Sequence, residues 1–166
     1  MAGKYDKYVA HPPYTRMTMK SDNSVIFNGL FVGKDMLGYD FTIGHQIVTK
    51  PFKGDNPPHT HNFQEFLAWY GTNPDDPLDF GGSEVVFYLG SELEKYVITQ
   101  PTMISLPPGL VHCPLEITKI GRPIIQIEMM LAPANGAAPT REPYFAKDKG
   151  FKPQDVMNFK VTPQKK

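Results

Sequence analysis

The chain has 166 residues, enough for one domain with a sizeable core. Its 17 Lys and Arg residues balance 17 Asp and Glu residues, and no basic block is present, so we do not expect nucleic acid as a partner. No segment approaches the roughly 18 consecutive apolar residues of a membrane span, and the polar start at 1–7 lacks the apolar core of a secretory signal. We therefore expect a cytoplasmic protein, and its single cysteine, Cys113, excludes an intrachain disulfide.

Short apolar segments, separated by 17 prolines and 14 glycines, run through the whole chain. This pattern is typical of an all-β sandwich or barrel and leaves little room for long helices. We predict a single domain, 1–166, with a barrel core over about 24–132 and polar or aromatic-rich arms at 1–23 and 133–166.

Strands are predicted wherever apolar residues alternate or cluster between turn signals. Asn28-Gly29 is a strong turn signal, so the first two strands should form a hairpin. Loops are expected at 50–58 and 72–82, and one short helical turn within 141–166. The predicted strands are 25–27, 30–32, 41–49, 65–70, 84–89, 94–99, 102–106 and 124–131.

Four side chains are candidate metal ligands. Side chains alternate along a strand, so His59 and His61 emerge on one face, about 6–7 Å apart. Glu65 has the same parity and can return to that face after a short bend. The rigid turn at 107–109 could deliver His112 from a distant strand. Three imidazoles and a carboxylate suit one divalent transition metal ion per chain: manganese, iron, nickel, cobalt, copper or zinc.

The same residues resemble the two motifs of the cupin superfamily, over roughly 41–131. The first motif is a glycine, His-x-His, a glutamate three or four residues later and a further glycine. The second centres on Pro-x-Gly-x-x-His. In chain order, the matching residues are Gly54, His59, His61, Glu65, Gly71, Pro107, Gly109 and His112.

Two positions depart from the family pattern. Pro101 stands where a glycine usually opens the second motif, and Glu116 stands where an asparagine usually follows its histidine. Neither position binds metal in the family pattern. The resemblance implies a double-stranded β-helix, a small jelly-roll barrel with the metal inside one mouth. It also implies a homodimer, because cupins of this size are commonly dimers.

The strand 124–131 has one polar and one apolar face. Gln126 and Glu128 share the polar face. Alternation alone does not name the inner face, and exposure of the polar side to solvent is the plainer interpretation. If that side points inward, Glu128 is the best general acid or base, with Gln126 beside it as a further catalytic candidate.

Five other residues are weaker candidates for the site. One of the neighbours His45 and Gln46 should point inward, His45 as a catalytic candidate or Gln46 as a substrate contact. Trp69 shares the parity of Glu65 and would line the cavity wall. Arg122 could hold a substrate carboxylate, although an exposed turn arginine is the plainer interpretation. Met130 would serve an apolar substrate pocket or fill the core.

Cys113 follows a candidate ligand directly. In a regular strand its side chain would point away from that of His112, and we expect a buried small apolar side chain.

The ligand set predicts an enzyme that uses its ion as a Lewis acid on a small oxygenated substrate. A diketone, a keto or hydroxy acid, or a sugar-like molecule would suit, in a non-redox lyase, hydrolase or isomerase reaction that the polar candidates favour. One alternative is a dioxygenase that cleaves an aromatic or diketone substrate, which a pocket of Phe, Trp and Met would favour. A second is a small-ligand-binding protein without catalysis.

Overall fold

A computed structural model describes residues 4–33, 36, 41–54, 56–131, 138–143 and 157–162. Apart from one 3₁₀ turn at Asp6–Tyr8, the regular elements named here are strands. Their bounds in chain order are β1 (Tyr14–Met19), β2 (Val25–Val32), β3 (Phe41–Val48), β4 (Phe52–Lys53), β5 (His59–His61), β6 (Glu65–Gly71), β7 (Glu84–Leu89), β8 (Glu94–Ile98), β9 (Thr102–Leu106), β10 (His112–Lys119), β11 (Ile124–Leu131), β12 (Arg141–Pro143) and β13 (Met157–Thr162).

Two antiparallel sheets face each other. The described strands of the first follow the order β13-β1-β2-β3-β11-β6-β9, and those of the second the order β12-β5-β10-β7-β8, with β4 paired to β10. Strands far apart in sequence are neighbours: β11 pairs with β3 on one side and β6 on the other. The predicted all-β jelly-roll barrel is confirmed.

The core lies between the inner faces of the two sheets. Ile26 and Trp69 come from the first sheet, and Val85 and Phe87 from the second, all with no measurable exposure. Each such side chain contributes about 1.5–3 kcal/mol by leaving water. Alternation along the strands therefore fixes which residues can reach the interior.

The predicted hairpin at Asn28-Gly29 is wrong. β2 is one continuous strand, paired with β1 on one side and β3 on the other. A Cβ atom at Gly29 would lie 3.1 Å from the backbone oxygen of His45 and 3.1 Å from the ring of Phe31. The glycine therefore serves close packing of neighbouring strands, and both flanking strands hold the segment extended.

The segments predicted to be peripheral arms contribute strands to both sheets. β13 pairs with β1 along its whole length, and β12 pairs with β5. The described parts of 141–166 are extended, and a helical turn elsewhere in that segment would lie outside the described residues. None of the described helices is long and apolar enough to cross a membrane.

β4 lies in the segment predicted as a loop, and β10, expected as the strand that carries His112, was given no range. Pro114 and Glu116 interrupt the apolar pattern of β10, but Lys53 Nζ on β4 lies 2.8 Å from Glu116 Oε1. Tertiary pairing thus supplies what the local pattern lacks.

Gly71, the last glycine of the first motif, provides a test of packing. A Cβ atom there would lie 1.8 Å from the backbone oxygen of Asp79. We expect Gly71→Ala to lower the free energy of unfolding by about 1–3 kcal/mol, since backbone must move. Urea unfolding at equilibrium measures this change.

The matched control is Gly33→Ala, whose new Cβ would meet its nearest neighbour, Thr42 Oγ1, at an ordinary 3.5 Å. Equal unfolding midpoints for the two variants would show that the close approach at Gly71 is not a constraint.

Candidate metal centre

Three histidines meet inside the barrel. His59 and His61 project from the same face of the extended β5, and His112 at the start of β10 is paired with His59 in the sheet register. All three are buried. The ring centroid of His112 lies 4.3 Å from that of His59 and 4.7 Å from that of His61. One nitrogen from each ring lies within 4.8 Å of the others.

Backbone carbonyl oxygens fix the tautomer of each ring. The contacts are His59 Nδ1 to Pro57 O at 2.8 Å, His61 Nδ1 to Phe63 O at 2.9 Å and His112 Nδ1 to Leu110 O at 2.9 Å. A carbonyl oxygen only accepts hydrogen bonds, so each Nδ1 carries the hydrogen. In the neutral ring, Nε2 is then left with a lone pair, the form in which a histidine binds a metal.

Glu65 reaches the same point from the opposite sheet. Its Oε2 lies 2.8 Å from His61 Nε2 and 3.5 Å from His112 Nε2, and its side chain is buried. A lone pair and a carboxylate oxygen repel each other at 2.8 Å unless a proton or cation lies between them. Neutral imidazoles with an acidic oxygen among them are a donor set that fits a divalent transition metal ion.

A cavity of about 200 Å³ opens from this cluster. Its walls include Phe63, whose ring stacks on that of His61 at 4.0 Å and 8°, and Phe87, whose ring lies 6.3 Å from that of His112. Apolar walls reduce the local dielectric, so charges inside the cavity interact more strongly than in water.

Comparisons with known proteins concern the fold. No family model matches the sequence, and no curated protein matches it at a significant level. Similar solved structures include a cupin-like protein from Thermotoga maritima, with 8% identity over 80% of this chain and 84% of that one, at a TM-score of 0.43. A sugar phosphate isomerase of the cupin superfamily from Silicibacter pomeroyi has 14% identity over 75% and 84%, at a TM-score of 0.42.

Two further solved structures carry names of enzymes. A polyketide cyclase from Streptomyces resistomycificus is 15% identical over 74% of each chain, at a TM-score of 0.46. A DMSP lyase is 12% identical, at a TM-score of 0.42. The match covers 69% of this chain and 51% of the lyase chain. The paired sheets and the motif residues of this chain agree with the resemblance seen in its sequence. The barrel is the jelly roll that this resemblance implies. Structural similarities at such low sequence identity give no information on the activity of this protein.

The polar face of β11 points into the barrel. Gln126 and Glu128 both line the cavity, and Met130 follows them on the same face. The solvent-facing interpretation of Gln126 and Glu128 is therefore wrong. β11 is flanked by β3 and β6, and its register sets Glu128 beside Leu67 and Met130 beside Glu65, both on the inner face.

Gln46 and Trp69 lie in one row with Gln126 across three strands. Trp69 Nε1 donates to Gln126 Oε1 at 2.8 Å, and Gln126 Nε2 donates to Gln46 Oε1 at 3.1 Å. Trp69 has no exposure and lies outside the cavity lining, so its prediction as a substrate contact is corrected. It orients Gln126 from behind, because an indole only donates.

His45 and Arg122 lie away from the cavity, and both predictions are corrected. His45 is exposed, because its neighbour Gln46 takes the inward position on β3. The half-exposed Arg122 guanidinium lies 2.6 Å from a carboxylate oxygen of Asp79, so the plainer interpretation of Arg122 holds.

Cys113 also departs from its expected orientation. Its backbone has φ +76°, and the pairing of β10 with β7 shifts between His112 and Leu115. Because the strand is irregular there, both His112 and Cys113 line the cavity.

Several cavity residues were not predicted from the sequence. Phe63, Phe87 and Asn56 line the walls. Phe63 could have been found, because it has the parity of His61 just after the His-x-His pattern. Phe87 and Asn56 carry no such local signal, since their positions depend on the second sheet and the loop before β5.

The carboxyl group of Asp79, which lies outside the cavity, has a lowered pKa. The hydrogen bond from Asn73 Nδ2, then that from the Gly81 N–H, then that from Arg122 lower the pKa of its carboxyl to about 2. Its ionised form therefore stabilises the fold fully above the ordinary pKa of 3.8, and this contribution is lost as the pH falls through about 2.

We expect both Asn73→Ala and Arg122→Ala to raise the pKa of Asp79, because the hydrogen bond from Asn73 is the largest single cause of its lowering and Arg122 adds a hydrogen bond and a positive charge. Carboxyl-carbon NMR titration of the two variants measures both shifts. An unchanged pKa in Asn73→Ala would show that the Asn73 hydrogen bond is not a cause.

Proposed function

We propose that His59, His61, Glu65 and His112 hold one divalent transition metal ion, and that the protein is a metal-dependent enzyme acting on a small oxygenated molecule. The reaction is a non-redox one, of the lyase, hydrolase or isomerase type. The observation that carries the proposal is the 2.8 Å contact between Glu65 Oε2 and His61 Nε2, in a ring whose Nδ1 already bonds a carbonyl oxygen.

The charge of the ligand set supports this role. Three neutral imidazoles and one carboxylate offset one of the two positive charges of a divalent ion. When bound, the ion would supply a Lewis acid that stabilises negative charge developing on a substrate oxygen. Manganese, iron, nickel, cobalt, copper and zinc all accept these donor types.

Glu128 is the proposed general acid or base. It is partly buried, lines the cavity that contains the histidines, and shares its face of β11 with Gln126 and Met130. A carboxylate in this position can accept a proton from a carbon or hydroxyl next to a substrate carbonyl and return it to another atom. This proton movement is what lyases and isomerases of oxygenated substrates require.

Gln126 is the proposed orienting residue. Its Oε1 accepts the hydrogen bond from Trp69 Nε1, so the amide nitrogen is the atom that can contact a molecule in the cavity. One N–H bonds Gln46, and the amide group carries a second that can hold a substrate oxygen near Glu128.

A dioxygenase is the second candidate function. The wall residues Phe63, Leu67, Phe87 and Met130 give the cavity an apolar side suited to an aromatic or diketone substrate. A ligand-binding protein without catalysis would take up the same molecules and form no product. The homodimer expected from the resemblance and the cytoplasmic location expected from the composition stay predictions.

Metal content tests the ligand assignment. His112→Ala removes one of three imidazoles, and we expect stoichiometric metal to be lost while the fold remains. Elemental analysis of protein purified without chelators measures this loss, and circular dichroism checks the fold.

His45→Ala is the matched control, because His45 is an exposed histidine on the outer face of the same barrel. Full metal content in folded His112→Ala protein would contradict the assignment.

The reaction is tested on panels of diketones, catechols and keto acids, with an oxygen electrode alongside product detection. We expect Glu128→Gln to lower kcat by about 10²–10⁴-fold, because the proton acceptor is lost, without a change in metal content. Glu94→Gln, an exposed change on β8, should leave kcat unaltered.

Product formed without oxygen selects the non-redox reaction, and oxygen uptake coupled to product selects the dioxygenase. Undiminished kcat in Glu128→Gln would remove Glu128 from the mechanism.

A further inference from the structure

A second chamber, of about 230 Å³, adjoins the histidine-lined cavity. The two share part of their walls, so they lie directly beside each other. The shared residues are Asn56, Leu115, Gln126 and Glu128. The residues that belong to the second chamber alone include Met17, Phe27, Phe31 and Phe52.

A glycine leaves room for one aromatic wall of this chamber. Gly44 on β3 is paired with Phe31 on β2 and with Glu128 on β11. A Cβ atom at Gly44 would lie 2.6 Å from Cε1 of Phe31. The Phe31 ring therefore fills the space that the missing side chain leaves, and any larger residue at position 44 must displace it.

A chain of hydrogen bonds sets the direction of the Gln46 amide in this chamber. Trp69 Nε1 must donate, so Gln126 Oε1 accepts, and Gln126 Nε2 in turn donates to Gln46 Oε1. The nitrogen of Gln46 is thus directed away from this row, and Gln46 lines the second chamber. Among aromatic walls, its N–H groups form a specific contact for a hydrogen-bond acceptor.

We propose that the substrate has two parts: an oxygen-rich head in the histidine-lined cavity, and an aromatic ring carrying an acceptor oxygen in the second chamber, where Gln46 donates to that oxygen. The volume supports one ring, because an apolar cavity of about 150 Å³ already holds benzene. This inference deepens the proposed function and rests on it for the role of the head.

Binding of a ring in the second chamber is tested alone, on metal-free protein, with 4-fluoroacetophenone as the probe. We expect saturable binding, seen in the fluorine NMR signal, together with a shift of the indole N–H signal of Trp69, the chain's one tryptophan. Gly44→Ala should weaken this binding at least fivefold, because Phe31 is displaced. Gly33→Ala, with no close neighbour for its Cβ, should bind as the wild type does.

Gln46→Met tests the donor independently of the glycine. Wild-type protein should bind 4-fluoroacetophenone at least fivefold more tightly than 4-fluoroethylbenzene, which has the same shape without the acceptor. In Gln46→Met this preference should disappear. Absence of saturable binding to the wild type, or equal preference in folded Gln46→Met protein, would overturn the inference.

The head is tested separately with zinc-loaded protein and acetylacetone, a 1,3-diketone that has two oxygens able to chelate one ion and no ring. Failure of acetylacetone to bind would count against the proposed metal chemistry, whereas the ring probe would still report on the second chamber. With both parts correct, 1-phenylbutane-1,3-dione should bind zinc-loaded wild type at least tenfold more tightly than acetylacetone, and Gly44→Ala should lose that advantage.

Discussion

The close approach of Glu65 to two histidines is the constraint on which the interior of this barrel depends. The carboxylate comes from one sheet and the imidazoles from the other, and Glu65 Oε2 lies 2.8 Å from His61 Nε2 and 3.5 Å from His112 Nε2. Backbone carbonyl oxygens already accept a hydrogen bond from each Nδ1, so a proton or a cation on the Nε2 side makes this contact favourable. Either one would link the two sheets at this point.

Around this centre, side chains alternate between the two faces of each strand, so polar and apolar residues can be placed on opposite faces. On β11, Gln126 and Glu128 point inward while the apolar residues between them face outward. The cavity consequently has the Glu128 carboxyl and the Gln126 amide set against aromatic walls. Gly44 extends the space beyond Glu128 by leaving room for the Phe31 ring. The histidine-lined cavity and the aromatic chamber therefore lie beside each other in the barrel.

Local patterns predicted the elements whose signal is contained in a few residues. Alternation in 41–49 and 124–131 matched β3 and β11, and the His-x-His spacing placed two rings on one face of β5. The turn signal Asn28-Gly29 failed because β1 and β3 hold that segment extended. The extent of β10 was not predicted because Pro114 and Glu116 interrupt its pattern, and pairing with β7 and β4 compensates for the interruption.

The sequence by itself determined the fold class, the types of the four candidate ligands and the parity of each residue along its strand, because these depend on neighbours in the chain. Only the tertiary structure decided which parity faces inward. It turned Gln46 and Glu128 into the barrel and left His45 and Arg122 outside, because an inner face exists only once two sheets have packed against each other.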